Sequence, residues 1–319
     1  MYTLGIDLGG TNIVAGVVDE NYKIIAKAKV KTNSPRPAEE IADDMAKICF
    51  EACEKAGISI SDVTACGVGS PGSINPVAGT VVYANNLGFD NVPLASMLKQ
   101  RTGVDFYIEN DANAAAYGEF LAGSGRGVNN CIAVTLGTGV GGGIIIDGKL
   151  FSGSNYAGGE LGHMVIDVDG EPCSCGRKGC WEAYASATAL IRQTKAAMEK
   201  NKDSVMWELA NGSLDNVNGL IAFDGMRKGD KAATQVVCQF EKYIAVGLAN
   251  IINIFQPEKI CIGGGVSNEK DTLVNPIKDF VNKETYPVSG KPCDILPAEL
   301  GNDAGIIGAA SLYKLYNYK

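Results

Sequence analysis

The sequence predicts an α/β protein with mixed sheets divided between two domains. Three observations predict it: strand-like and helix-like segments alternate, one strand–glycine turn–strand pattern occurs twice at the same spacing, and 319 residues suffice for two sizeable cores. Residues 3–8, "TLGIDL", read as a strand ending in glycines, and "NIVAGVVD" (12–19) reads as a second strand after the turn. "PAEEIADDMAKICFEACEKAG" (37–57) reads as a helix, because it follows prolines, carries acids in its first turn and stops at Gly57. "VTACGVGSPG" (63–72) and "VDFYI" (104–108) read as strands, the second running into "ENDANAAAYGEFLAG", an alanine-rich helix that ends at Gly123. "IAVTL" (132–136) repeats the opening strand and leads through "GTGVGGG" into "IIID". Laid without a gap, residues 5–19 fall on 133–147, with Leu8 on Leu136, Gly9 on Gly137 and Asp19 on Asp147. The shared pattern, more than the three identities, suggests two halves with one ancestral plan. Further on, 183–200 and 231–254 read as helices, and "KICIGGGVS" (259–267) as a buried strand meeting a glycine turn. "AGIIGAASLYKLY" (304–316) is the last helix, expected to pack back on the first half.

A formal net charge of −8 and the lack of a Lys/Arg cluster argue against broad attraction to nucleic acid. "MYTLGIDLGG" has neither the basic nor the continuous apolar region of a signal peptide, and the longest apolar run (243–255) is too short and too polar to cross a bilayer. The expectation is a cytoplasmic protein without a membrane partner, whose ten cysteines stay reduced. Cys49, Cys66, Cys131 and Cys261 sit in apolar surroundings, and seven of the ten are expected to be small core hydrophobes. Cys173, Cys175 and Cys180 differ, being surrounded by polar residues and glycine.

"DLGGTN" and "LGTGVGGG" match neither a P-loop nor a dinucleotide fingerprint. Glycines between two strands let successive backbone N–H groups approach a ligand, and such a nest suits phosphate. Thr11 and Thr138 add hydroxyl donors, and Asp7 is placed to hold Mg²⁺ or its water shell. Ordinary hairpin turns are the other reading; the matching positions, and a third glycine turn at 263–265, weigh against it. "IENDAN" sets Asp111 where a strand gives way to a helix. Asp111 or Asn110 caps that helix, and capping is compatible with catalysis. The positive helix end keeps a carboxylate ionised and able to take a hydroxyl proton, as phosphoryl transfer requires of a base.

"GGELGH" and "CSCGRKGC" together offer one imidazole, the only histidine of the chain, and three sulfurs. His163, Cys173, Cys175 and Cys180 thus make a Cys₃His set for a structural Zn²⁺, with no open position for water. A disulfide would strand one of the three thiols. An imidazole bound to metal through one nitrogen presents a fixed N–H at the other. With Glu160 and Glu182 close in sequence, that donor suits a polyhydroxyl ligand.

Taken together, "GIDLGGTN", "GSPG", "ENDANAAAYGE", "TLGTGVGGG", "GGELGH" and the CxCGxxGCxE knot resemble the ROK family (repressors, open reading frames and kinases) of bacterial sugar kinases and sugar-sensing repressors. The resemblance covers essentially the whole chain, and the knot is its most specific element. It implies an actin-like ATPase (ribonuclease H-like) fold, two lobes with a cleft between them: 1–110 with 301–319, and 111–300. It implies ATP-dependent phosphorylation of a hexose 6-hydroxyl, commonly that of glucose, in a homodimer or dimer of dimers. By motif, Asp111 is the base, and Asn110, Glu160, His163 and Glu182 hold the sugar with Gly72 and Asn85. The turns at Gly9, Gly10, Thr11 and Asn12 and at Gly137, Thr138 and Gly139 resemble the phosphate loops, and Gly264 and Gly265 lie in the expected adenosine region. ATP, Mg²⁺ and structural Zn²⁺ are the implied cofactors.

Three rivals remain from the sequence. The substrate is another hexose (fructose, mannose, allose or an N-acetylhexosamine); the chain is a sugar-responsive transcriptional regulator; or it is a sensor without catalysis. Family repressors carry a helix-turn-helix before the core, whereas here the first strand starts by Thr3, and Asp111 speaks against a dead sensor.

Overall fold

The computed structural model describes residues 1–287 and 290–316. In chain order the first part holds β1 (Tyr2–Leu8), β2 (Asn12–Asp19), β3 (Ile24–Lys31), α1 (Ala38–Ala56), β4 (Val63–Ser70), β5 (Ser73–Asn75), β6 (Thr80–Ala84), β7 (Phe89–Val92), α2 (Leu94–Thr102), β8 (Phe106–Asn110) and α3 (Asp111–Ala122). Then follow β9 (Cys131–Leu136), β10 (Val140–Ile146), β11 (Lys149–Phe151), α4 (Glu182–Ala185), α5 (Ala187–Lys200), α6 (Met206–Leu209), α7 (Ile221–Arg227) and α8 (Lys231–Phe255). The chain closes with β12 (Lys259–Gly263), α9 (Asp271–Glu284), β13 (Asp294–Pro297), α10 (Ala304–Ser311) and α11 (Tyr313–Tyr316).

Two five-stranded sheets share one plan: β3-β2-β1-β4-β8 and β11-β10-β9-β12-β13. In the first, β2 runs antiparallel to β1 and to β3, while β4 is parallel to β1 and β8 to β4; in the second, β12 and β13 are parallel. Residues 5–19 and 133–147, aligned above, are the matching hairpins β1–β2 and β9–β10, so the internal repeat is a repeat of topology. A third sheet, β5-β6-β7, follows β4.

Packing density divides the chain into two compact units. Unit 1 comprises Met1–Ala133, Gly142–Gly159 and the chain from Ala298 on; unit 2 comprises Val134–Gly141 and Glu160–Pro297. The lobes expected from the sequence put α3 with the larger lobe, whereas this grouping keeps it in unit 1. The physical reason is α10, which lies on α3, β1 and β4 together.

Alternation along β1 builds the unit 1 core. Leu4, Ile6 and Leu8 face one way, into a cluster with Ile41, Met45 and Cys49 of α1. Gly5 faces the other way, and a Cβ there would stand 1.8 Å from the Ile306 carbonyl oxygen of α10. Gly67 on β4 is crowded alike, 1.9 Å from the Ala309 oxygen, and a Cβ on Gly308 would meet the Ala114 oxygen of α3 at 1.7 Å. The last long helix therefore packs back on the first half, as its sequence predicts. In unit 2, α8 carries the indole of Trp181 against Gly247, whose Cβ would stand 2.0 Å from the ring, and Trp181 Nε1–H donates to the Tyr243 carbonyl at 2.8 Å.

Several elements differ from the sequence reading. The stretch 183–200 is two helices rather than one: it breaks at Ser186, whose hydroxyl oxygen accepts from Ala189 N–H and starts α5 afresh. The strand expected to reach residue 267 stops at Gly263, because Gly264 takes φ 88° and turns the chain into a short 3₁₀ helix. Leu312 interrupts the last helix. Cys49, Cys66, Cys131 and Cys261 are buried as expected, but Cys238 is exposed and Cys293 only half-buried, so not all seven remaining thiols are core residues. Among the described residues, no helix is long and apolar enough to cross a membrane.

Candidate active site

Unit 1 gathers the expected phosphate turn, the expected base and three expected sugar contacts. The turn between β1 and β2 is closed by Gly9 N–H donating to the Asn12 carbonyl, 3.0 Å. The residues just after β3 engage the turn's carbonyls: the Thr32 hydroxyl donates to Gly9, 2.6 Å, the Ser34 hydroxyl to Gly10, 3.1 Å, and Thr32 N–H to Thr11, 3.0 Å. With its carbonyls engaged, the turn offers N–H groups to an anion. Asp7 and residues 9–12 line a cavity of about 830 Å³ that Lys27, Lys29 and Lys55 also line. Lys27 pairs with Asp303 at 2.8 Å. Asn12 Oδ1 is buried without a hydrogen-bond partner. Asp7 and Asn12 line the same cavity, and their side-chain oxygens are the donor type a hydrated Mg²⁺ prefers.

Asp111 opens α3, and the capping question resolves in favour of its neighbour. Asn110 Oδ1 accepts from Ala112 N–H at 2.9 Å and Asn113 N–H at 3.2 Å. Asp111 Oδ1 shares the Ala112 N–H, at 2.8 Å, but leaves that of Asn113 to Asn110. Its carboxyl is raised by burial, against the lowering pull of the Ala112 and Asp111 backbone N–H groups. Asp7 is pushed up to about 6, first by burial and then by the Asp111 carboxylate. One carboxylate thus raises its neighbour, as in carboxyls grouped to share a divalent ion. Asn110 Nδ2 donates to the Gly72 carbonyl, 3.2 Å, so these two residues meet. Gly72, at φ 96°, packs so close to β6 that a Cβ would stand 2.1 Å from the Tyr83 oxygen. Asn85 follows β6 and its Oδ1 accepts from the Tyr83 hydroxyl, 3.2 Å.

Sequence reasoning missed Glu109. Its buried carboxylate accepts from Asn110 N–H (2.8 Å), from Asn113 Nδ2 (3.0 Å) and from the Tyr316 hydroxyl, and so it braces the strand-to-helix step that presents Asp111. A carboxylate at the end of an apolar strand was the available signal.

In unit 2, the Nδ1 of His163 and the sulfurs of Cys173, Cys175 and Cys180 all lie within 4.8 Å of one another. Cys175 and Cys180 sulfurs are 3.6 Å apart, and Cys173 Sγ is 3.7 Å from Nδ1. A tetrahedron with zinc bond lengths has edges of roughly 3.5–3.8 Å, so the set fits the ion. The Cys175 thiol is drawn down to about 6, chiefly by the backbone N–H of Arg177 and then by its guanidinium, while burial pushes Cys180 up to about 11. With Nδ1 turned to the sulfurs, Nε2 is left as the outward donor.

Glu182 follows the knot directly. Its Oε1 accepts from the Ser174 hydroxyl (3.3 Å) and lies 3.9 Å from Cys173 Sγ; its Oε2 accepts from Val140 N–H (2.9 Å). The second glycine turn is held at two further points: Ala187 N–H donates to the Gly137 carbonyl and the Thr188 hydroxyl to the Thr138 carbonyl, each 2.8 Å. A Cβ on Gly139 would lie 2.2 Å from Glu182 Oε2, and one on Gly264 2.3 Å from the Leu136 oxygen, so both glycines are required by close approach. A Cβ on Gly265 would meet open space. Glu160 is exposed and its carbonyl accepts from His163 N–H at 3.1 Å.

The model of the family described as "ROK family" matches residues 3–315. A glucokinase of Streptomyces coelicolor is 38% identical over 97% of this chain and 96% of its own. The crystal structure of a ROK family glucokinase from Streptomyces griseus, in complex with glucose and AMPPNP, is 38% identical with a TM-score of 0.81, covering 98% of this chain and 99% of that one. A xylose repressor of Bacillus spizizenii is 31% identical over 98% of this chain and 76% of its own length.

Proposed function

The chain belongs to the ROK family and has the actin-like ATPase fold, and from that premise we propose that it is an ATP-dependent glucokinase. The observation that carries the reading is the company kept by Asp111: it opens α3 next to the capping Asn110, and its charge raises Asp7, which lines a cavity together with a glycine turn whose carbonyls are engaged. Asp111 takes the proton of the glucose 6-hydroxyl as that oxygen bonds to the γ-phosphorus; the bond to the β–γ bridging oxygen breaks and ADP leaves. Backbone N–H groups at residues 10 and 11 and at 138 and 139 stabilise the phosphate oxygens. Asp7 and Asn12 would hold Mg²⁺, which spreads the charge of the phosphates.

In this proposal Asn110, Gly72, Asn85, Glu160, His163 and Glu182 contact the sugar. His163, Cys173, Cys175 and Cys180 would hold a Zn²⁺ of architectural use, since four protein ligands leave no position for water. Ligated through Nδ1, His163 would present Nε2–H to a sugar hydroxyl. Gly264 and Gly265 lie beside the adenosine. In the same proposal the protein works in the cytoplasm as a homodimer or dimer of dimers.

A coupled ADP-release assay over glucose, fructose, mannose, allose and N-acetylated hexosamines tests the reading. Glucose should give the highest kcat/KM; a higher value for another hexose would reassign the substrate. No ADP release with any of them would overturn the kinase.

A further inference from the structure

We propose that Thr188 is a positioning residue for the second phosphate turn, and that through it and Glu182 the zinc knot sets affinity for the nucleotide. The proposal rests on the kinase reading above, which makes residues 137–139 a phosphate site.

The two hairpins support their turns by different means. Gly9 falls on Gly137, so Gly10 falls on Thr138 and Thr11 on Gly139. In the first hairpin the middle carbonyl, Gly10, receives the hydroxyl of Ser34, supplied by the chain just after the eight-residue β3. The equivalent strand of the second hairpin, β11, has three residues and ends at Phe151. The equivalent bond, to the Thr138 carbonyl, comes instead from the Thr188 hydroxyl. Ala187 N–H takes the Gly137 carbonyl, as the Thr32 hydroxyl takes that of Gly9. The second turn thus borrows its backing from the segment that emerges from the zinc knot.

That segment is stiff. Trp181 is fully buried and bonded to Tyr243, Ser186 caps α5, and Glu182 joins Ser174 inside the knot to Val140 N–H at the end of the turn. Only seven residues separate Cys180 from Thr188, and three of the hydrogen bonds just described run from this stretch to residues 137–140. A nest binds phosphate well only when its carbonyls are held back and its N–H groups converge. Whatever loosens the knot therefore loosens the nest. Thr188 itself is exposed, so removing its hydroxyl opens no cavity and deletes one positioning bond.

The test uses the full chain with zinc bound, as wild type, Thr188→Val and Thr188→Ser. Thr188→Val should raise the KM for ATP and the Kd for ADP, by calorimetry, roughly three- to tenfold, the worth of one hydrogen bond. The KM for glucose and the thermal midpoint should stay put, and Thr188→Ser should restore nucleotide affinity. Chelator-stripped wild-type protein should show weaker ADP binding in the same calorimetric measurement, with no turnover needed. ADP binding by Thr188→Val equal to wild type would overturn the proposal. So would equal rises in both KM values with a lowered thermal midpoint, or tight ADP binding after stripping. Wild-type protein that neither binds ADP nor phosphorylates a hexose would instead sink the kinase reading.

Discussion

Replacing Asp7 with Asn should make the ligand-free protein more stable while removing its turnover. The Asp7 carboxyl sits at about 6 instead of 3.8, raised by burial first and by the Asp111 carboxylate second. For an acid whose folded value lies above its unfolded one, ionisation opposes folding. The penalty is absent below about 3.8, grows as pH rises through the window and is complete above about 6. At about 1.4 kcal/mol per pH unit, the interval is worth about 3 kcal/mol at neutral pH. Asn keeps the shape and drops the charge, but its amide also loses hydration on burial, so the net gain should be about 1–3 kcal/mol. Urea unfolding without nucleotide or magnesium, at pH 7.5 and pH 4, measures it. The Asn variant should unfold at higher urea at pH 7.5, and the difference should shrink towards zero at pH 4. Hexose-dependent ADP release should meanwhile fall by orders of magnitude. Equal or lower stability at pH 7.5, or a gain that persists undiminished at pH 4, would refute this account of the site's charge.

Asp111→Asn should lower kcat by roughly 10²–10⁴, the range for a general base, with glucose binding by calorimetry largely kept; near-normal turnover would remove Asp111 from that role. Cys175→Ala should lose zinc and thermal stability together, so full zinc content by elemental analysis would contradict the ligand assignment. Gly308→Ala puts a methyl 1.7 Å from the Ala114 oxygen and must part α3 from α10. The cost should be about 1–3 kcal/mol in urea unfolding, and an unchanged midpoint would show that the helices yield freely.

The legible parts of the fold were those whose signals are local. Helix α1 runs from Ala38 to Ala56 because acids open it and Gly57, at φ 71°, closes it, and both the acids and the glycine are legible in the sequence. The paired hairpins were legible because glycine turns between apolar strands have few other uses. The break at Ser186 was hidden, since 183–200 is alanine-rich throughout and the bond from Ala187 N–H to Gly137 that accompanies the break is tertiary. The β5–β7 sheet has strands of three to five residues, too short for alternation to register. At the site, the Cys₃His set was legible from spacing alone. The division of labour between Asn110 and Asp111 was not, because both residue types cap helices. The brace on Glu109 joins it to Tyr316 at the far end of the chain, a partner no spacing rule would find.

The seat of α10 has a consequence for how the molecule is made. The strands that carry Asp7 are synthesised first, yet the helix that fits their glycine face arrives only after residues 160–297, which belong to unit 2. During translation β1 and β4 therefore wait with that face uncovered while an entire second body is completed. Contacts so distant in sequence favour slow assembly of unit 1. A nascent chain arrested before Ala304 would present a bare sheet surface to chaperones, whatever the state of the rest.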